Sequence, residues 1–136
     1  MNFLSRYAHW ALRLAMASVF IVHGVDKFLN PGMAEMMGLP LAVWLLVAAA
    51  EVGGALLILV GGFGFNWATR LGALALLPVM LGAIFMVHWG QWSFMASATH
   101  PVGGIEFQVT LALLALYFLL QGNSADETNM SQTAAA

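Results

Sequence analysis

Apolar residues in this chain neither alternate nor keep to one helical stripe. They come in four long runs parted by short polar breaks or breaks rich in glycine and proline. The first run, through RLAMASVFIVHGVDK, stops at Asn30, Pro31 and Gly32. The second, LAVWLLVAAAEVGGALLILV, stops at Gly61, Gly62 and Gly64. The third contains LGALALLPVMLGAIFMVHW, and the fourth, IEFQVTLALLALYFLLQ, gives way to NSADETNMSQTAAA. Helices that are apolar all round are core or membrane helices, and these runs approach the roughly 20 residues that cross a bilayer.

Spans are therefore predicted over residues 7–29, 41–60, 71–89 and 105–121. Residues 1–122 form one membrane domain, and residues 123–136 a disordered polar tail. Pro78 predicts a local kink in the third span. Gly53, Gly54, Gly72 and Gly82 read as close-packing positions between helices. The tryptophans Trp10, Trp44, Trp67, Trp89 and Trp92 fall near span ends, where an aromatic belt is expected. His9 and His100 read as interfacial.

Composition sharpens the class. Hydrophobic residues make up 62% of the 136 residues and charged ones only 7%, against roughly a quarter charged in soluble chains. The fold class is all-α: an integral membrane four-helix bundle, antiparallel and up-down. The net charge of −2 and the lack of a basic run argue against nucleic acid as a partner. With no cysteine, disulfides, thiolate-bound clusters and covalently attached haem are excluded from this chain. The apolar N-terminal stretch lacks a small-residue cleavage site and reads as a retained span rather than a signal peptide. Arg6, Arg13 and Arg70 all lie on the side of the N-terminus and the second loop, which puts both termini in the cytoplasm by the positive-inside rule.

Against this background the few polar residues stand out. His23 and Lys27 are one helical turn apart on the first span. Glu51 sits at the middle of the second span, with no other charge within ten residues. A carboxylate at that depth must be protonated, hydrogen-bonded or paired. A purely structural pairing with Arg13 or Lys27 is the plain alternative to a functional role. Arg13 and Lys27, fourteen residues apart on one helix, cannot both reach it, so Lys27 is assigned to the outer site and Arg13 to the inner half. His88 closes the third span. Glu106 opens the fourth, where the helix dipole alone could account for it, although Thr110 and Tyr117 extend a polar stripe along the same face. The up-down topology gathers His23, Lys27, Glu51, His88 and Glu106 in the outer half of the bundle, under a tryptophan-rich third loop positioned as a lid or interfacial anchor.

RLAMASVFIVHGVDKF, the Gly-Leu-Pro before the second span, AAAEVGGALLILVG, ATRLGALALLPVMLGAIFMVHW and GGIEFQVTLALLALYFLL together resemble the DoxX family over residues 6–121. Two features depart from the pattern: the long GGFGFNWATR turn, and Gln121-Gly122-Asn123 at the end of the last span. The resemblance implies a bacterial inner-membrane oxidoreductase subunit of the kind linked to thiosulfate:quinone oxidoreduction or oxidative-stress complexes.

On that reading the chain carries no intrinsic cofactor, contacts quinone, and draws electrons from a partner subunit. Glu51, His88 and Glu106 form the catalytic or proton-relay set, while His23, Lys27 and Arg13 bind substrate or cofactor. Haem b held by His23 and His88 is a weaker reading, because two lone histidines make a poor signature, and no metal site is assigned. A non-catalytic membrane anchor or assembly subunit is the alternative, followed by a small-solute or proton-coupled carrier. A homo-oligomer is compatible with each.

Overall fold

The computed structural model describes residues 7–123; the C-terminal stretch expected to be disordered lies outside them, apart from Asn123. The regular elements among the described residues are helices, with no strand among them. Helix α1 is Ala8–Leu29, α2 is the short Met33–Met36, α3 is Leu41–Gly61, α4 is Asn66–Gly82 and α5 is Glu106–Gln121. A π-helical turn, Ala83–Val87, continues α4. Three of these stretches are long and apolar enough to cross a membrane, namely Ala8–Leu29, Leu41–Gly61 and Asn66–Val87, and α5 is a shorter apolar helix.

The ends follow local chemistry. Asn30 closes α1: its backbone N–H and its side-chain amide both donate to the Asp26 carbonyl, and the amide also reaches the Asp26 carboxylate at 2.8 Å. Pro40, with ψ near the extended region, launches α3, as proline does at a helix start. Between α3 and α4 the chain reverses within a few residues, and Gly64 at φ 104° makes the turn, a conformation that costs other residues dearly.

This tight reversal moves the start of the third span. The sequence places it at residue 71, whereas α4 begins at Asn66, because the Ala68 and Thr69 N–H groups already donate to the Phe65 carbonyl. Thr69 and Arg70 are thus helical residues rather than turn residues. The helix runs through Pro78, and its irregularity comes later, where the His88 N–H reaches back to the Ala83 carbonyl at 3.1 Å to complete the π turn.

Helices neighbouring in sequence pack on one another: α1 on α3, α3 on α4 and α4 on α5. All four contribute to one core, including Met16 and Phe20 from α1, Ile58 from α3, Leu76 from α4 and Phe118 from α5. Glycines set two of the seams. A Cβ at Gly72 would lie 2.6 Å from the Gly54 carbonyl oxygen, and one at Gly54 would lie 2.8 Å from Leu76. Gly24 serves the α1–α3 seam in the same way, against Val52 and Glu51. Gly53 and Gly82, expected to do likewise, have open space where a Cβ would go; they face away from the neighbouring helices.

Trp44 also departs from expectation. It is only 6% exposed, and its indole N–H donates to the Lys27 carbonyl at 3.0 Å. It belongs to the α1–α3 seam rather than to an aromatic belt.

The glycine seams yield a paired prediction. Gly72→Ala should push α3 from α4 and lower stability by about 1–3 kcal/mol, the usual penalty of overpacking. Gly53→Ala should be neutral or slightly stabilising. Thermal unfolding of the detergent-solubilised variants checks both, and equal effects at the two positions would contradict the seam.

Candidate functional sites at the two ends of the bundle

The up-down arrangement puts the start of α1, the α3–α4 turn and the end of α5 at one end, here called proximal. The end of α1, the start of α3, the π turn and the start of α5 form the distal end.

Arg13 dominates the proximal end, with none of its surface exposed. One guanidinium nitrogen donates to the Ile58 carbonyl at 2.8 Å and to Thr69 Oγ1 at 2.9 Å. The other terminal nitrogen donates to Asn123 Oδ1 at 2.7 Å, and Nε donates to His9 Nδ1 at 3.1 Å. The cation also lies 4.9 Å from the Phe118 ring centroid. Thr69 donates to Asn123 Oδ1, and the Asn123 amide donates to the Gly61 carbonyl at 2.9 Å.

Ile58 and Gly61 belong to the last turn of α3, where carbonyls have no N–H four residues on. Arg13 and Asn123 supply those missing donors, and the positive charge suits a helix C-terminus. Arg70 treats α5 in the same manner, donating to the Leu119 carbonyl at 2.8 Å. Of the three residues assigned to binding, Arg13 lies near the opposite end of α1 from His23 and Lys27, in the inner half where the helix rise had placed it. His9, expected at the interface, is a partner of Arg13. Asn66, which accepts the Asn123 N–H at 2.9 Å, entered no sequence reading, and Thr69 and Asn123 entered only through the family resemblance and the departure from it. The one signal present for them in the sequence is the Asn66 and Thr69-Arg70 that follow the glycine-rich turn.

The distal end holds two polar centres on different helix pairs. In the α1–α3 seam, Lys27 Nζ contacts both carboxylate oxygens of Glu51, at 2.9 and 2.8 Å. The Lys27 side chain is 17% exposed and that of Glu51 4%. Lys27 also lies 5.5 Å from the Trp44 ring centroid, a cation–π distance. Gly24 allows α1 to come close enough for this contact, because any side chain there would strike Glu51 Cβ. His23 is on the exposed side of α1.

The second centre lies between α4 and α5. The π turn ends at His88, whose Nδ1 is 3.0 Å from the Gly103 carbonyl oxygen and whose Nε2 is 3.0 Å from Gln108 Nε2. Since a carbonyl can only accept, Nδ1 carries the proton. Nε2 then accepts from the Gln108 amide N–H. This leaves Gln108 Oε1, which is buried and has no partner among the described residues. Gln108 was missed by sequence reasoning, which followed the Glu106, Thr110 and Tyr117 stripe instead. Thr110 merely donates to the Glu106 carbonyl within α5. Glu106 accepts the Phe94 N–H at 3.2 Å and so ties the distal loop to the start of α5.

Among the described residues no hydrogen bond joins the Lys27–Glu51 centre to the His88–Gln108 centre. The single outer cluster expected from topology is two clusters, because α1 and α5 are not packed as neighbours in the way that α1 and α3 are.

Lys27→Met leaves the Glu51 carboxyl buried without its cation, and should lower stability by about 3 kcal/mol, as breaking buried pairs does. Adding Glu51→Gln to that variant should restore most of the loss. A double-mutant cycle on unfolding in detergent measures the coupling, and independent, additive losses would disprove it.

Comparison with known proteins bears on this arrangement. No curated protein and no solved structure matches the chain. The DoxX family model matches residues 8–89, which takes in Arg13, Arg70, the Lys27–Glu51 pair and His88, and stops short of the distal loop and α5. With more than half its length matched, this apolar helical membrane protein belongs to the DoxX family.

Proposed function

We propose that the chain is a quinone-interacting subunit of a redox complex in the bacterial inner membrane, with both termini cytoplasmic and with electrons exchanged through a partner subunit. The observation that carries this reading is the His88–Gln108 centre. Its imidazole is held in one tautomer by the Gly103 carbonyl, and the Gln108 amide is oriented by His88, which leaves a buried acceptor, Oε1. A buried acceptor without a donor is costly, and a hydroxyl-bearing ligand would satisfy it.

The unpaired Oε1 fits a hydroxyl of the reduced form of a quinone. The Gln108 amide carries a second N–H besides the one given to His88, and that N–H can donate to a carbonyl of the oxidised form. A quinol bound there supplies electrons and protons to the complex. His88 and Gln108 recognise its hydroxyl, and Glu106 keeps the overlying loop in place through Phe94. The partner and the linked chemistry, thiosulfate oxidation or a response to oxidative stress, remain with the family resemblance.

A second reading, a membrane anchor or assembly subunit without its own redox role, is favoured by the Lys27–Glu51 pair. The two side chains satisfy one another, as residues fixing helix packing would.

Extraction of protein purified in mild detergent separates the two. On the quinone reading, quinol co-purifies, and Gln108→Leu weakens its binding by about 1 kcal/mol or more, roughly fivefold, the worth of one neutral hydrogen bond. His88→Ala should act in the same direction, while Glu51→Gln leaves binding intact. Quinone-free protein carrying a stoichiometric soluble partner would establish the anchor reading instead.

A further inference from the structure

The segment between the π turn and α5, residues 88–105, is long for a helix connection, and its chemistry is turned inside out. Its polar groups bond inward. The Gly104, Ile105 and Glu106 N–H groups donate to the Ser93, Gln91 and Trp92 carbonyls at 2.8–2.9 Å. The Gln91 amide donates to the Ser93 and Met95 carbonyls, and its oxygen accepts from the Ser97 hydroxyl. His100 Nε2 reaches the Trp89 carbonyl at 3.0 Å. Gly103, at φ 77°, brings its backbone against the Phe94 carbonyl where no side chain would fit.

Its large apolar side chains, in contrast, point out. Trp92 is 62% exposed, Phe94 61% and Met95 62%, and Trp89 and Val102 are equally open. No Asp, Glu, Lys or Arg occurs from residue 88 to residue 105. An aqueous loop has no need to satisfy its own backbone, since water does so, and it normally shows charge rather than indole and phenyl rings. A non-helical segment in contact with lipid needs both features seen here.

The length of α5 points the same way. Its 16 residues reach about 24 Å, short of the roughly 30 Å of hydrocarbon in a bilayer. At its proximal end Asn123 is committed to the polar network around Arg13, so the missing length falls at the distal end, under this segment.

We propose that residues 89–105 form a lipid-seated cap, embedded in the distal boundary of the bilayer through Trp92, Phe94 and Met95, which completes the fourth span. The adjoining helices present exposed Phe85 and Phe107, and the Phe85 ring lies 5.2 Å from that of Trp89 at the start of the segment. Lacking formal charge, it recognises the apolar–polar boundary of the bilayer rather than a particular headgroup. The cap is independent of which reaction the bundle serves.

The absence of native cysteine makes single reporters clean. Phe94→Cys and Met95→Cys, each labelled with nitrobenzoxadiazole in the full chain reconstituted into phosphatidylcholine vesicles, report the environment directly. Neither substitution touches the Phe94 backbone N–H that Glu106 holds. The expected result is strong quenching by nitroxide lipids labelled at the headgroup or upper acyl chain and shielding from aqueous iodide. A Glu35→Cys reporter in the other distal loop, exposed on α2, should show the reverse. Iodide quenching at Phe94→Cys and Met95→Cys would overturn the cap. Protection from both quenchers would overturn it too, since a second copy or a protein partner would then cover this surface.

Discussion

Arg13 is a full positive charge enclosed among apolar helices, and such a group is tolerated only where its N–H groups are matched. The donors of its guanidinium and the unpaired carbonyls at the end of α3 solve each other's problem. The contact carries α1 to the last turn of α3, to Thr69 on α4 and to Asn123 just beyond α5. One side chain thus ties together four helices that otherwise meet mainly in sequence order. Association of helices in lipid lacks the hydrophobic drive available in water and rests on close packing and polar contacts. The glycine seams supply the first and Arg13 much of the second.

The same physics operates in the distal half with a different outcome. Lys27 and Glu51 neutralise one another between α1 and α3, and Trp44 is drawn into the seam by the Lys27 carbonyl and ammonium. A pair of this kind holds two helices without leaving a group to spare. Between α4 and α5 the arithmetic is not closed. The π turn aims His88 at Gly103 and Gln108, and one amide oxygen is left over. π-turns inside α-helices are often found at functional sites. Here the turn falls immediately before a histidine bonded to Gln108 of α5, which is why the quinone reading is attached to this centre and not to the ion pair.

Gly103 and Glu106 connect that centre to the distal segment above it. The Gly103 carbonyl fixes the His88 tautomer, while the Gly103 backbone packs against Phe94, whose N–H is held by Glu106. A shift of the cap in the bilayer boundary would therefore be felt at His88 through a few bonded groups rather than across the whole bundle.

Four apolar runs, their breaks and the scarcity of charge determined by themselves that this is a helical membrane protein, because helices are the available way to bury backbone in lipid within a chain of this composition. The sequence also separated Arg13 from Lys27, since a helix rise of about 1.5 Å per residue keeps residues fourteen apart from sharing one partner. It could not reveal what Thr69, Asn123 and Gln108 bond to, because a threonine or an amide is unremarkable until a partner 56, 110 or 20 residues away is placed beside it. Nor could it divide the distal polar groups into two centres. That depended on which helices are neighbours, and in lipid the order of packing is decided by where backbones can approach, at Gly24, Gly54 and Gly72 and not at Gly53 or Gly82. Hydropathy names the solvent of each helix; only the tertiary structure names its partner.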